Sequence, residues 1–271
     1  MKRILLTVEY DGTAYAGWQR QINGLAVQQV LEEALSSACG HPVTVTGASR
    51  TDAGVHALDQ KVHFDTSSTI PPDKYPFVLN TMLPPDIRVL EGREVPTDFH
   101  ARFLTVGKTY TYRIWNARHA SALRRNTHWH VPVPLDEKPV RQALLTLPGK
   151  HDFAAFQASG GTAKTTLRTL YDASLTVEGS APDFTVLVHG NAFLYNMVRI
   201  IAGTLIEIGL GKRGPDAFLR AFESGNRLDL GMTAPARGLE LTEVHYLPEA
   251  FTDPASLRWH NEETYFVRDP R

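Results

Sequence analysis

One carboxylate in this chain is set where it could act on a carbon or a proton. Asp52 lies in Arg50-Thr51-Asp52-Ala53-Gly54-Val55-His56-Ala57, directly after an Arg and a Thr and two residues before a Gly. A guanidinium and a hydroxyl at those places can bond the carboxylate and keep it ionised and fixed. Held in that way, it suits attack on an electrophilic carbon or removal of a proton. The same octamer also reads as a turn, because Asp-Ala-Gly is ordinary loop chemistry and Asp often closes turns or caps helices.

Strand-like alternation flanks the octamer. Val43-Thr44-Val45-Thr46 precedes it and Lys61-Val62-His63-Phe64 follows it, so Asp52 is expected on a loop between two sheet strands. Residues 4–10 read as a buried strand and Asp11-Gly12-Thr13 as a turn. Gly17-Trp18-Gln19-Arg20-Gln21 reads as a polar loop with one large aromatic. Helical spacing runs over 27–38 and stops at Gly40, a short helix is expected over 75–82, and a strand over 87–95. A second set follows: a half-buried strand over 108–116, a helix over 135–147 and an antiparallel pair over 168–177 and 184–189. Helices over 194–208 and 215–223 and a strand over 239–246 complete it. The expected class is α+β, with two similar split β-α-β (RRM-like) halves whose antiparallel sheets are flanked by helices. The expected domains are 1–105 and 106–247. Residues 248–271 read as a tail, with Trp259 and Tyr265 as anchors.

Three further features bear on chemistry. Arg199 sits among apolar neighbours near the start of its predicted helix, where the macrodipole disfavours a cation. Such a cation calls for an anion, either Asp52 or an RNA phosphate, unless its guanidinium snorkels to water. Tyr110 and Tyr112 lie two apart and share a strand face, where either ring could stack on a base or pack in the core. Between Asp98 and Asp136 there is no acid, while Arg102, Lys108, Arg113, Arg118, Arg124 and Arg125 are interleaved with Tyr110, Tyr112, Trp115 and Trp129. Cations for phosphate and flat rings for unstacked bases suit single-stranded or looped RNA. A strand pair with a solvated basic face is the plainer alternative.

Other signals exclude. The chain has 271 residues, 42% of them hydrophobic, which is enough for two domains with a substantial core. Its formal net charge of −1 argues against a general nucleic-acid binder, so any RNA contact must come from the local basic window. The single cysteine, Cys39, precludes an intrachain disulfide and reads as a small core residue. The apolar start meets Glu9 too soon for a signal peptide, and no apolar run reaches membrane-spanning length, so the expected setting is cytoplasmic. His128 and His130 lack a third ligand nearby in sequence, and no metal is expected. No phosphate-cradling or dinucleotide fingerprint occurs, so the chemistry is expected to need no cofactor.

Several motifs, in order along residues 2–247, resemble the tRNA pseudouridine synthase A (TruA) family. They are Val8-Glu9-Tyr10-Asp11-Gly12, Gly17-Trp18-Gln19-Arg20-Gln21, the Asp52 octamer, Asp98-Phe99-His100-Ala101-Arg102-Phe103, the Tyr110 strand, and Asn191-Ala192-Phe193 through Met197-Val198-Arg199. One departure is Ser49, which stands where the family has Gly before the Arg. The resemblance implies a catalytic Asp52 in a cleft between two similar domains. It implies that Tyr110 stacks on the target uracil, that Arg50 assists flipping and that Arg199 pairs with Asp52. Arg20, Arg102, Lys108, Arg113, Arg118, Arg124 and Arg125 are the expected RNA contacts. The implied activity is isomerisation of uridine to pseudouridine at positions 38, 39 and 40 of the tRNA anticodon arm, by a homodimer. Two other readings remain open: a non-catalytic RNA-binding module, and a glycosidase, for which Asp59 or Asp65 would be the second acid.

Overall fold

A computed structural model describes residues 1–179 and 183–257. The expected anchors Trp259 and Tyr265 lie outside that range. The chain divides into two compact units. The first holds Met1–Val106 together with the described residues from Leu241 onward, and the second runs from Gly107 to Glu240.

In the first unit the order is β1 (Lys2–Tyr10), α1 (Val27–Cys39), β2 (Thr46–Gly47), β3 (His56–Thr66), α2 (Tyr75–Leu79) and β4 (Ile87–Val95). Strand β1 pairs antiparallel with both β3 and β4, and β2 pairs antiparallel with β3. The strands run β4-β1-β3, with the short β2 pairing off β3, the arrangement of a split β-α-β unit, as expected. Ile4, Leu6 and Val8 are fully buried and Leu5 and Thr7 between them are buried as well, so β1 is covered on both faces over 4–8; Leu31 and Leu35 of α1 are fully buried too. Gly40 ends α1 in the left-handed region at φ 71°, its N–H bonded to the Ser36 carbonyl.

The strand expected over 43–46 shrinks to Thr46–Gly47 for a definite reason. The Val43 N–H donates to Ser36 Oγ and the Val45 N–H to Glu32 Oε1, both on α1. Helix side chains thus satisfy backbone groups that a strand partner would otherwise take. Cys39 is half-buried beside the Tyr75 hydroxyl, at 3.8 Å, rather than in the core.

The second unit holds β5 (Thr105–Asn116) from Gly107 on, then β6 (Trp129–Val131), α3 (Glu137–Leu144), β7 (Gly149–Asp152), β8 (Leu167–Glu178), β9 (Asp183–Gly190), α4 (Met197–Gly209) and α5 (Ala217–Ser224). Its strands follow the order β5-β9-β8-β7 with antiparallel pairing, and β6 adds in parallel to β5. Strand β5 is not half-buried as expected: Thr109 to Tyr112 are buried on both faces. The helix expected over 135–147 is shorter because Asp136 caps it through the Lys138 N–H, and the Leu135 N–H goes to Asn116 Oδ1. Helix α4 begins later than expected because Asn196 precedes it at φ 61°. The final strand, β10 (Leu239–Tyr246), begins in the second unit and ends in the first.

Residues 248–257 are packed, not trailing. Pro248–Phe251 and Pro254–Ser256 form 3-10 turns in which Ala250 and Pro254 are buried. Phe251 stacks on Phe99 at 5.6 Å and lies under the Arg93 guanidinium at 3.8 Å. Close by, His63 and His100 meet ring to ring at 4.9 Å. Burial comes first in pulling both down to about 4; like charge from His100 and then Arg3 adds to it at His63, against an opposing pull from Asp65, and like charge from Arg3 and Arg102 adds to it at His100.

Both imidazoles are therefore neutral in the folded chain at a pH where the unfolded chain, near 6.5, already takes up protons. Stability should be complete above pH 6.5 and fall as pH drops towards 4, on the order of 2 kcal/mol for His63. Urea unfolding across that window should show the fall, and His63→Asn should flatten it. Parallel curves for the two proteins would assign the acid sensitivity elsewhere.

Candidate active site

Residues 48–55, between β2 and β3, carry Asp52 without regular structure of their own. Interior groups of the first unit hold them instead. The Gln60 side chain, fully buried on β3, accepts from the Ser49 N–H at 3.1 Å and donates to the Ser49 carbonyl at 2.7 Å. The hydroxyls of Tyr10 and Thr51 share a hydrogen bond of 2.7 Å. The Trp18 N–H donates to the Thr51 carbonyl, the Gly54 N–H to the Tyr15 carbonyl and the Val55 N–H to the Asp52 carbonyl. Thr51 therefore spends its hydroxyl on Tyr10, whereas the sequence suggested the Asp52 carboxylate as its partner. Ser49 sits without a positive φ, so Ser in place of Gly imposes no strain.

Glycines let three backbone segments meet here. A Cβ on Gly12 would lie 2.0 Å from the Val55 carbonyl oxygen. One on Gly17, at φ 95°, would lie 2.7 Å from the Thr51 carbonyl oxygen. The indole of Trp18 fills the space beside Gly47, is 3% exposed and stacks on Tyr10 at 6.0 Å. His56 Nδ1 accepts the Gly12 N–H at 3.1 Å. The result is a half-buried Asp52 on a pinned loop, with Arg50 exposed beside it.

Sequence reasoning missed Gln60 and placed Trp18 on a polar loop. The signal for Gln60 was its register: it shares a face of β3 with Val62 and Phe64, so a polar group there must have a buried partner. Trp18 carried no comparable periodic signal.

The second unit positions Tyr110 and Arg199. Tyr110 is 7% exposed and meets the Phe193 ring edge to face at 5.0 Å. Tyr112 is wholly interior; its hydroxyl donates to the Pro235 carbonyl at 2.7 Å, and burial pushes that hydroxyl far up. Arg199, in the first turn of α4, donates from Nε to the Ala234 carbonyl at 2.8 Å and from Nη1 to Asn196 Oδ1 at 2.7 Å. The Ala234 N–H returns a bond to the Arg199 carbonyl at 3.0 Å. Gly203 makes that approach possible, because a Cβ there would lie 1.8 Å from the Met232 carbonyl oxygen.

The expected RNA contacts divide by environment. Arg118 and Arg125 are exposed, and Lys108 is half-buried opposite Gly190. Arg102 lies over the Phe103 ring at 5.8 Å. Three others have acidic partners outside the acid-free stretch or on another element: Arg20 with Glu32 at 3.2 Å, Arg113 with Glu240 at 3.0 Å and Arg124 with Asp183 at 3.1 Å. His128 also reaches Asp183, at 3.3 Å, and His130 bonds the Ala117 carbonyl. Among the described residues no group of His, Cys, Asp and Glu is arranged to hold a metal, and no helix is long and apolar enough to cross a membrane.

Fold and loop together define an α+β protein of two units, one of which presents a carboxylate on a pinned loop. The family model described as tRNA pseudouridine synthase matches residues 6–104 and 143–247. A tRNA pseudouridine synthase A of Acetivibrio thermocellus is 48% identical over 246 residues, covering 91% of this chain and all of that one. One of Syntrophotalea carbinolica is 46% identical over 249 residues, 92% of this chain and 98% of that one. A solved Cbf5-Nop10-Gar1 complex is 12% identical with a TM-score of 0.39, over 88% of this chain and about half (48%) of that one, too slight a likeness to argue from. The chain belongs to the tRNA pseudouridine synthase family, whose members are isomerases.

Two substitutions test the supports of Asp52 and Arg199. Gly17→Ala and Gly203→Ala should each cost about 1–3 kcal/mol in urea unfolding, because a backbone segment must move to admit the methyl. Gly40→Ala, at φ 71° with nothing within 4 Å, should cost about 1–2 kcal/mol through its backbone angle alone. Little or no loss in Gly203→Ala, which has close approach without a positive φ, would show that close approach does not matter.

Proposed function

We propose that this chain converts uridine to pseudouridine at positions 38, 39 and 40 of the tRNA anticodon stem-loop, with Asp52 as the catalytic carboxylate. The reaction breaks the bond between uracil N1 and the ribose C1′, turns the base and joins C5 to C1′. The proton on C5 leaves, and N1 gains one. Bonds and electrons balance within the nucleotide, so the reaction needs no energy source.

The observation that carries this reading is the pinning of the Asp52 loop by buried groups, in a chain of this family. A carboxylate that must meet one carbon or one proton gains from a backbone that cannot drift. The target base must leave its stack to be reached. Arg50, exposed next to Asp52, would fill the vacated stack or grip a phosphate. Tyr110 offers a ring to the loosened uracil, and stacking of about 1–3 kcal/mol helps retain it. Arg199 supplies the cation we assign to the Asp52 carboxylate. The exposed Arg118 and Arg125, with Lys108, Arg102 and in part Arg20, Arg113 and Arg124, would follow the phosphates. We further assign a homodimer acting in the cytoplasm.

Transfer RNA carrying tritium at uridine C5 tests the activity. Release of tritium to water is expected, and full retention by folded protein on unmodified tRNA would refute the reading. Asp52→Asn should bind tRNA with near-normal affinity yet release none. Tyr110→Ala should turn over at least tenfold more slowly; a near-normal rate would return that ring to core packing.

A further inference from the structure

We propose that Phe103 is a stacking platform for an unpaired base of the bound tRNA, apart from the uridine being isomerised. The inference rests on the RNA-binding reading above. Phe103 lies in the turn over 98–104, among neighbours that bury themselves. Phe99 and Ala101 are fully buried and Leu104 is 5% exposed, yet Phe103 remains 51% exposed. A lone surface phenylalanine needs no explanation by itself. This one is held by an unusually determined backbone.

His100 Nδ1 accepts the N–H groups of both Arg102 and Phe103, each at 3.2 Å. The His100 carbonyl accepts the Leu104 N–H at 3.1 Å, and the Phe99 carbonyl accepts Arg3 Nη1 at 2.7 Å. His63 Nδ1 takes the Ala101 N–H at 3.1 Å. Every residue from 99 to 104 is thereby tied to its neighbours or to the sheet behind it.

The Phe103 ring stacks on the His100 ring at 4.2 Å with planes 26° apart, and His100 meets His63 at 4.9 Å. Burial keeps that imidazole neutral at physiological pH, so it backs Phe103 as a flat ring and not as a charge. The Arg102 guanidinium stands 5.8 Å from the Phe103 ring. A preset aromatic surface beside a cation matches an unpaired nucleotide, with the base on the ring and the phosphate near the guanidinium. Asp98 opens the turn, and beyond it the chain carries no acid before Asp136.

The test is binding of an unmodified tRNA transcript to full-length protein, followed by anisotropy at several salt concentrations. Phe103→Leu and Phe103→Ala should each weaken binding about tenfold, whereas Phe103→Tyr and Phe103→Trp should stay within about twofold. Phe103→Leu keeps an apolar side chain, so it carries the test if the alanine variant fails to fold. Its salt dependence should match wild type, while Arg102→Gln should lower the slope by about one phosphate contact. In the tritium assay Phe103→Leu should raise KM with kcat little changed. Wild-type affinity in Phe103→Leu would overturn the stacking role. Inactivity of the wild-type protein itself would instead reject the function on which the inference rests.

Discussion

A loop with no regular structure must hold a carboxylate still, and that constraint governs the first unit. Residues 48–55 lack the ladder that fixes a strand and the repeating bonds that fix a helix. Their order comes from outside. Gln60 takes both the N–H and the carbonyl of Ser49, so breaking that contact would strand two backbone groups and an amide in an interior that cannot solvate them. A net hydrogen bond contributes only about 1 kcal/mol, but an orphaned buried group costs about 1–3 kcal/mol. Over-determination at Ser49, Thr51 and Gly54 therefore opposes movement more strongly than the individual bonds suggest. Such bonding works only where backbones touch, which is what Gly12 and Gly17 permit.

The second unit meets a different difficulty with similar means. Arg199 stands in the first turn of α4, where the exposed helix N–H groups repel a cation. Asn196 Oδ1 and the Ala234 carbonyl are among the groups that hold the guanidinium there. Asn196 reaches it from the left-handed region, which Asn tolerates better than most residues. Ala234 reaches it because the Gly231 N–H bonds Thr204 Oγ1 and Gly203 offers no side chain to the Met232 carbonyl. Gly203 and Thr204 are adjacent on one helix, so a packing choice there is felt four residues earlier at Arg199.

Much of this was legible from local pattern. The buried strand β1, the strand β4, the Gly40 stop of α1 and a loop at Asp52 all follow from neighbours in sequence. What escaped depends on partners far along the chain. Nothing local in Val43-Thr44-Val45 reveals that Ser36 and Glu32 will claim its N–H groups. The middle of β5 looks half-polar because Thr109 and Thr111 alternate with tyrosines, yet tertiary packing covers both faces. Residues 248–257 look like a tail because the anchor of Phe251 is Arg93, on another strand.

Charge shows the same gap between sequence and space, with consequences for RNA. The stretch from 99 to 135 holds no acid, but Arg113 faces Glu240 and Arg124 faces Asp183. A phosphate approaching either would compete with a carboxylate already in place, so those arginines add less to polyanion affinity than their number implies. Arg124 also caps the Trp115 ring at 4.4 Å, whose indole N–H is bonded to the His119 carbonyl. It therefore braces the loop that bears Arg118 and Arg125. In a chain whose net charge is close to zero, this division matters. Paired arginines shape the surface, and the exposed ones on the braced loop are those we propose to meet the phosphates.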